Sequence, residues 1–196
     1  MRKDITGTLK EALLNHQLVG IYLDPSNMSS CSVGYVDAID NTMVRLCSIL
    51  SDGKNGGYEI RLLKEIYRVD VDTFYLRKIE FLHQNRDNIY SEVELILPSN
   101  NSNVLVSTLK VAKDKRVIVT LWIGGEDNLI VGYVESLTPQ TVQILSINSY
   151  GKEEGFIVIN LNEIISADCN AKKEQILRFL HEKRWNRASK HCSQTD

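Results

Sequence analysis

The chain has 196 residues, with 23 Lys and Arg against 25 Asp and Glu, a formal net charge of −2. This length admits one or two domains, and the near-zero charge excludes a long-range field that would favour nucleic acid over other partners. No apolar run approaches the roughly 18 residues of a membrane span, and Met1-Arg2-Lys3-Asp4 leads into no signal-peptide core, so the expectation is a cytoplasmic protein with no membrane partner.

Asp4 to His16 is read as a short helix from Leu9, Leu13 and Leu14, with Thr6 or Thr8 as N-cap. Leu18 to Leu23 alternates, which predicts a half-buried strand with Val19, Ile21 and Leu23 on one face. Pro25-Ser26-Asn27 opens a loop. A long strand runs from Cys31 to Ile39, and Gly34 within it marks a sharp bend or a close backbone approach. Asp40-Asn41 is a turn, and Met43 to Leu50 is the next strand. Ser51 to Gly57 is a loop of turn-forming residues, followed by a strand in which Tyr58, Ile60 and Leu62 alternate. Leu63 to Ile66 makes a tight turn, Tyr67-Arg68-Val69 a closing strand, and Asp72 or Thr73 caps a helix reaching about Asn85. Tyr90 to Leu97 alternates weakly as an extra strand, and Pro98 to Asn103 reads as a linker.

The plan then repeats. Val33-Gly34-Tyr35-Val36 returns as Val131-Gly132-Tyr133-Val134. A slide of about 98 positions aligns the halves without a gap from near Leu14 to Arg86, with roughly twenty identities in about seventy positions. In this alignment Val19 and Leu23 fall on Val117 and Leu121, and Gly53-Lys54 on Gly151-Lys152. Phe81-Leu82-His83 falls on Phe179-Leu180-His181. Thr8-Leu9-Lys10 matches Thr108-Leu109-Lys110 only if the second copy is two residues shorter upstream of that alignment. Predicted elements of the second copy are a helix near Ser107 to Lys113 and strands at 116–122, 128–137, 141–149, 155–160 and 164–168. A last helix covers Ala171 to about Trp185. The expected organisation is a first domain over 1–97, a linker over 98–103, a second domain over 104–185 and a polar tail over 186–196.

Candidate residues are few. Cys31, Cys47, Cys169 and Cys192 show no Cys-x-x-Cys spacing, so reduced packed thiols are expected rather than a metal or disulfide. Gly53-Lys54 and Gly151-Lys152 are flanked by strands and lack the longer run of a phosphate loop, so hairpin turns are expected; Lys54 and Lys152 remain candidates for contacting a phosphate or an acidic partner. Tyr35 and Tyr133 sit in the bent strands, where packing or base stacking would use the ring. His83 and His181 suit packing or a solvated helix face. After Ala171 basic residues dominate, and Arg184, Trp185 and Arg187 form a candidate contact surface because Trp and Arg are enriched at interfaces.

A helix followed by five short strands, the second carrying a glycine, resembles the Sm-like and SH3-like small β-barrels, once in each half. Gly34, Val36, Ile39, Asp40 and Met43 match the first Sm motif. Val44 departs from its base-binding asparagine, and Leu62 after Ile60-Arg61 departs from the glycine of the second motif. Thr138 and Thr141 stand where the second copy would carry the aspartate and methionine. The Gly-Lys-x-x-Gly pattern is also similar to that of uncharacterised bacterial proteins of this barrel type. The resemblance implies a mainly β chain of two tandem five-stranded barrels with flanking helices. No nucleophile–base pair, metal spacing or cofactor fingerprint is present, so neither an enzyme nor a cofactor is expected. The expectation is a non-catalytic interaction or regulatory module that meets a protein partner or itself through strand edges. The alternative is an Sm-like RNA-binding protein, whose affinity would fall with salt.

Overall fold

Strand β1 (Leu18–Tyr22) is apolar along its whole length, and all five of its residues are buried. The structure, a computed structural model, describes residues 4–27, 30–90, 93, 103–124 and 128–185 and divides into two units, 1–87 and 88–196. In the first unit, Val19 and Ile21 of β1 pack against Leu9 and Ala12 of helix α1 (Ile5–Asn15), together with Val36, Val44 and Leu46. Leu18 points the other way, to Val33, Ile49 and to Leu76 and Ile79 of helix α2 (Phe74–Gln84). The expectation of a half-buried strand is therefore corrected, because α2 (Phe74–Gln84) covers the second face. The α1 cap is Asp4, whose carboxylate accepts from the Gly7 N–H at 2.6 Å; Thr6 and Thr8 lie inside the helix.

The remaining strands are β2 (Ser32–Ile39), β3 (Met43–Ile49), β4 (Asn55–Leu62) and β5 (Arg68–Val71), in the antiparallel order β4-β3-β2-β1-β5. A 3-10 turn at Leu63–Glu65 leads from β4 towards β5. The short helix α3 (Arg86–Ile89) follows α2 and was not expected. Asp40 Oδ1 accepts from the N–H groups of Thr42 and Met43, both at 2.7 Å, and so shapes the β2–β3 turn.

The second unit has α4 (Val104–Asp114), β6 (Ile118–Ile123), β7 (Leu129–Leu137), β8 (Thr141–Ile147), β9 (Glu153–Asn160), a 3-10 turn at Leu161–Glu163, β10 (Ile164–Cys169) and α5 (Lys172–Glu182). Its sheet order, β10-β6-β7-β8-β9, is that of the first unit read from the opposite edge. Leu109 and Ala112 of α4 bury Val119 and Leu121 of β6 with Val134, Val142 and Ile144. The expected strand at 90–97 falls outside the described residues apart from Tyr90 and Val93, as do 98–102 of the linker and the tail from 186.

Two expectations are corrected. The sheets are not closed barrels: among the described residues no ladder joins β4 to β5 or β9 to β10. β5 has only four residues and spends them pairing with Val19–Tyr22 of β1, so β4 is left as an edge. The gapless alignment also fails at β1. Val19 pairs with Gly34, whereas Gly132 is paired with Val119, not Val117. The counterpart of Val19 thus lies 100 positions on, while Gly34 to Gly132 and Ser48 to Ser146 are steps of 98. The two-residue shortening sits in the β1–β2 connection. A shift of two leaves every side chain on its original face, so alternation alone could not locate it.

Both units need a glycine in the second strand. A Cβ on Gly34 would lie 2.5 Å from the Cys47 carbonyl oxygen, and one on Gly132 would lie 2.0 Å from that of Leu145. The glycine thus serves a close backbone approach. In urea unfolding of the full chain, Gly132→Ala is expected to cost about 3 kcal/mol or more, because the backbone must move. Gly155→Ala, at φ 112 with open space around it, is expected to cost about 1–2 kcal/mol. Equal losses would contradict this reading of Gly132.

Candidate functional site

The repeated histidine and the repeated glycine loop explain each other. Gly53, at φ 84, lies so close to α2 that a Cβ would sit 2.6 Å from the Leu82 carbonyl carbon. Gly151, at φ 73, meets α5 in the same way, 2.8 Å from the His181 nitrogen. Each loop carbonyl then bonds the histidine of that helix: His83 Nδ1 is 2.8 Å from the Gly53 oxygen, and His181 Nδ1 is 3.1 Å from the Gly151 oxygen. A carbonyl only accepts, so Nδ1 carries the proton and donates it. The tyrosine of the second strand completes the group, its ring 6.3 Å from that of His83 in one unit and 5.3 Å from that of His181 in the other.

What covers the tyrosine differs. His16, in the left-handed conformation that ends α1, stacks on Tyr35 with centroids 4.8 Å apart. Arg116, with φ 49 at the end of α4, places its guanidinium 5.2 Å from the Tyr133 centroid. The Tyr35 hydroxyl donates to Glu80 at 3.1 Å, and burial and that carboxylate push its pKa up to about 12. Tyr133 is 2% exposed, and burial, then Glu182, drive its pKa up against the opposing pull of Arg178 and Arg116. The Tyr133 ring is therefore packed, and the half-buried Tyr35 ring is covered by His16.

Four of the sequence candidates converge in the second unit. Trp185 is buried and donates from Nε1 to the Tyr150 carbonyl at 2.6 Å, which ties the end of α5 to the β8–β9 loop. This tie brings Arg184 towards Lys152, and both line a cleft of about 510 Å³ with Arg116, Tyr133, Glu153 and His181. Lys54 is exposed in the equivalent loop of the first unit, and Arg187 lies outside the described residues. Sequence reasoning missed Arg116. Its signal was the Thr108-Leu109-Lys110 match, which, carried forward unchanged through β6, sets Arg116 on His16.

The two sheet edges also differ. β4 and β9 each pair with one neighbour among the described strands. On β4, Tyr58 and Ile60 are 70% and 58% exposed. Glu59 and Arg61, on the opposite face, join a polar network: Glu59 accepts from Ser32 and Ser48 hydroxyls, both at 2.6 Å, and is held by the Arg61 guanidinium. On β9, at the same register, Ile157 and Ile159 replace Glu59 and Arg61, and Phe156 and Val158 are 64% and 63% exposed. Val44 is fully buried in the first core.

Among the described residues no group of three His, Cys, Asp or Glu is placed to hold a metal, and no helix is long and apolar enough to cross a membrane. Cys31, Cys47 and Cys169 are free thiols; burial raises the pKa of Cys31 and pushes that of Cys169 up to about 11. With the geometry established, comparison with known proteins adds no relative: no protein-family model, curated protein or solved structure matches the chain.

The Glu59 network makes a pH prediction. Burial alone would raise this carboxyl, but the Ser32 and Ser48 hydrogen bonds and Arg61 outweigh it and hold the pKa below its ordinary value. A depressed folded-state pKa gives stability that is present above the unfolded value and lost as pH falls through the folded one. Unfolding midpoints measured from neutral pH down through the carboxylate range are expected to fall less steeply for Glu59→Gln than for the unaltered chain. An identical slope would remove Glu59 from the account.

Proposed function

We propose that the chain is a non-catalytic interaction module of two tandem Sm-like or SH3-like domains, which takes an extended segment of another polypeptide along the β9 edge. The observation that carries this reading is the exposure of Phe156 and Val158 on a strand that, among the described residues, is paired on one side only. Such an edge offers unpaired backbone N–H and C=O groups in a row, and strand addition satisfies them while the alternate side chains supply specificity. Its outer face presents an aromatic and a β-branched residue, the pairing that stabilises cross-strand contacts. The β4 edge is the poorer acceptor. The Glu59–Arg61 pair on its inner face is the kind of charge that discourages edge pairing. The acceptor edge of the module is therefore in the second domain, and the polypeptide it takes is a different protein or a second copy of the chain.

Sedimentation of the full chain tests self-association, and a panel of extended apolar peptides tests a foreign strand. In either complex, amide hydrogen exchange is expected to slow along β9. Phe156→Lys with Val158→Lys is expected to weaken association roughly tenfold or more, through lost apolar burial, with no fall in the thermal midpoint. Protection confined to helix faces, with β9 exchange unchanged, would overturn the proposal.

A further inference from the structure

We infer that the second unit carries a binding cleft for a small phosphate-bearing anion, where Arg116, Lys152 and Arg184 converge beside Tyr133 and His181. The cleft of about 510 Å³ lies within the ~300–1,000 Å³ common for small-ligand sites. Its three cations come from three separate places: the turn after α4, the β8–β9 loop and the turn after α5. Each is positioned by the backbone. Arg116 and Arg184 both have φ 49, and Lys152 follows Gly151, whose missing Cβ lets the loop touch α5. Tyr133 supports the Arg116 guanidinium from below, and the Trp185 bond to Tyr150 holds the chain beside Arg184.

Two carboxylates also line the cleft; Glu182 faces Arg178, and Glu153 faces His181, a pairing that requires the imidazolium. Glu153 Oε1 is 3.7 Å from His181 Nε2, and Glu182 Oε1 is 3.6 Å from Arg178 Nε. Arg116 Nη1 stands 3.8 Å from Glu135, a single loose contact for a group with five donors. An anion entering the cleft thus meets the Arg116 guanidinium without first displacing Glu182 from Arg178. Phosphate is the matching chemistry. It accepts from a guanidinium fork and from point cations at once, whereas a lone carboxylate is satisfied by one fork. The first unit lacks this set, because His16 stands at the register position of Arg116. The inference is independent of the strand-edge proposal, since Phe156 and Val158 do not line the cleft.

The test is amide NMR of the full chain titrated with sodium pyrophosphate, then separately with sodium sulfate and a single-stranded RNA oligonucleotide. Pyrophosphate is expected to give saturable shifts at 116, 151–153 and 181–184. Lys152→Gln, in an exposed loop, is expected to weaken binding roughly tenfold by removing a charge-assisted hydrogen bond. Glu182→Gln is expected to tighten it. Any of four results overturns the inference: no saturation, equal affinity for sulfate, unchanged affinity in Lys152→Gln, or RNA binding at these residues that pyrophosphate does not compete.

Discussion

The contact on which both units depend is backbone against backbone, between the glycine after the third strand and the helix that follows the fifth. Gly53 and Gly151 have no room for a Cβ there, and both adopt the left-handed conformation that glycine tolerates best. Once the loop touches the helix, the histidine ring finds the loop carbonyl, its tautomer is set, and the strand tyrosine packs beside it. A motif that looks like a phosphate loop in the sequence is thereby a seam between sheet and helix. The lysine after each glycine is carried to a defined place as a by-product.

From the same frame the two units diverge in chemistry. The first covers its tyrosine with His16 and lines the inner side of β4 with Glu59 and Arg61. The second uses Arg116 over the tyrosine and isoleucines on β9. A buried pair changes as well. Gly20 lies beside Leu76 in the first unit, whereas Thr120 hydrogen-bonds Glu174, 2% exposed, in the second. Polar groups in such positions are costly unless partnered, so these exchanges come in sets rather than singly. The second unit therefore holds both the edge with isoleucines in place of Glu59 and Arg61 and the convergent cations.

Much of the fold was legible. Alternation located the strands to within a few residues, Thr73 was one of two readable caps, and the glycine inside the second strand pointed to a sharp bend or a close approach, of which the structure has the close approach. The candidate site was legible in part: Tyr133, Lys152 and Arg184 were singled out separately, but nothing in their spacing told that one cleft would gather them or that Arg116 would join. Tyr58 and Ile60 alternate as the residues of a core face would, yet both lie outward.

The amino-acid sequence by itself determined the element order, the paired Gly-Lys loops and the Phe-Leu-His helices, because these rest on local conformational preference and on periodicity. Only the tertiary structure decided the β1 register, the edge left open and the neighbours of each tyrosine. Strand side chains repeat every two residues, so a slip of two is invisible to pattern. An edge strand and a central strand of like alternation differ only in what packs against them. Whether a short strand such as β5 closes a barrel or leaves β4 as an edge among the described strands depends on where its few hydrogen bonds are made, and they are made to β1.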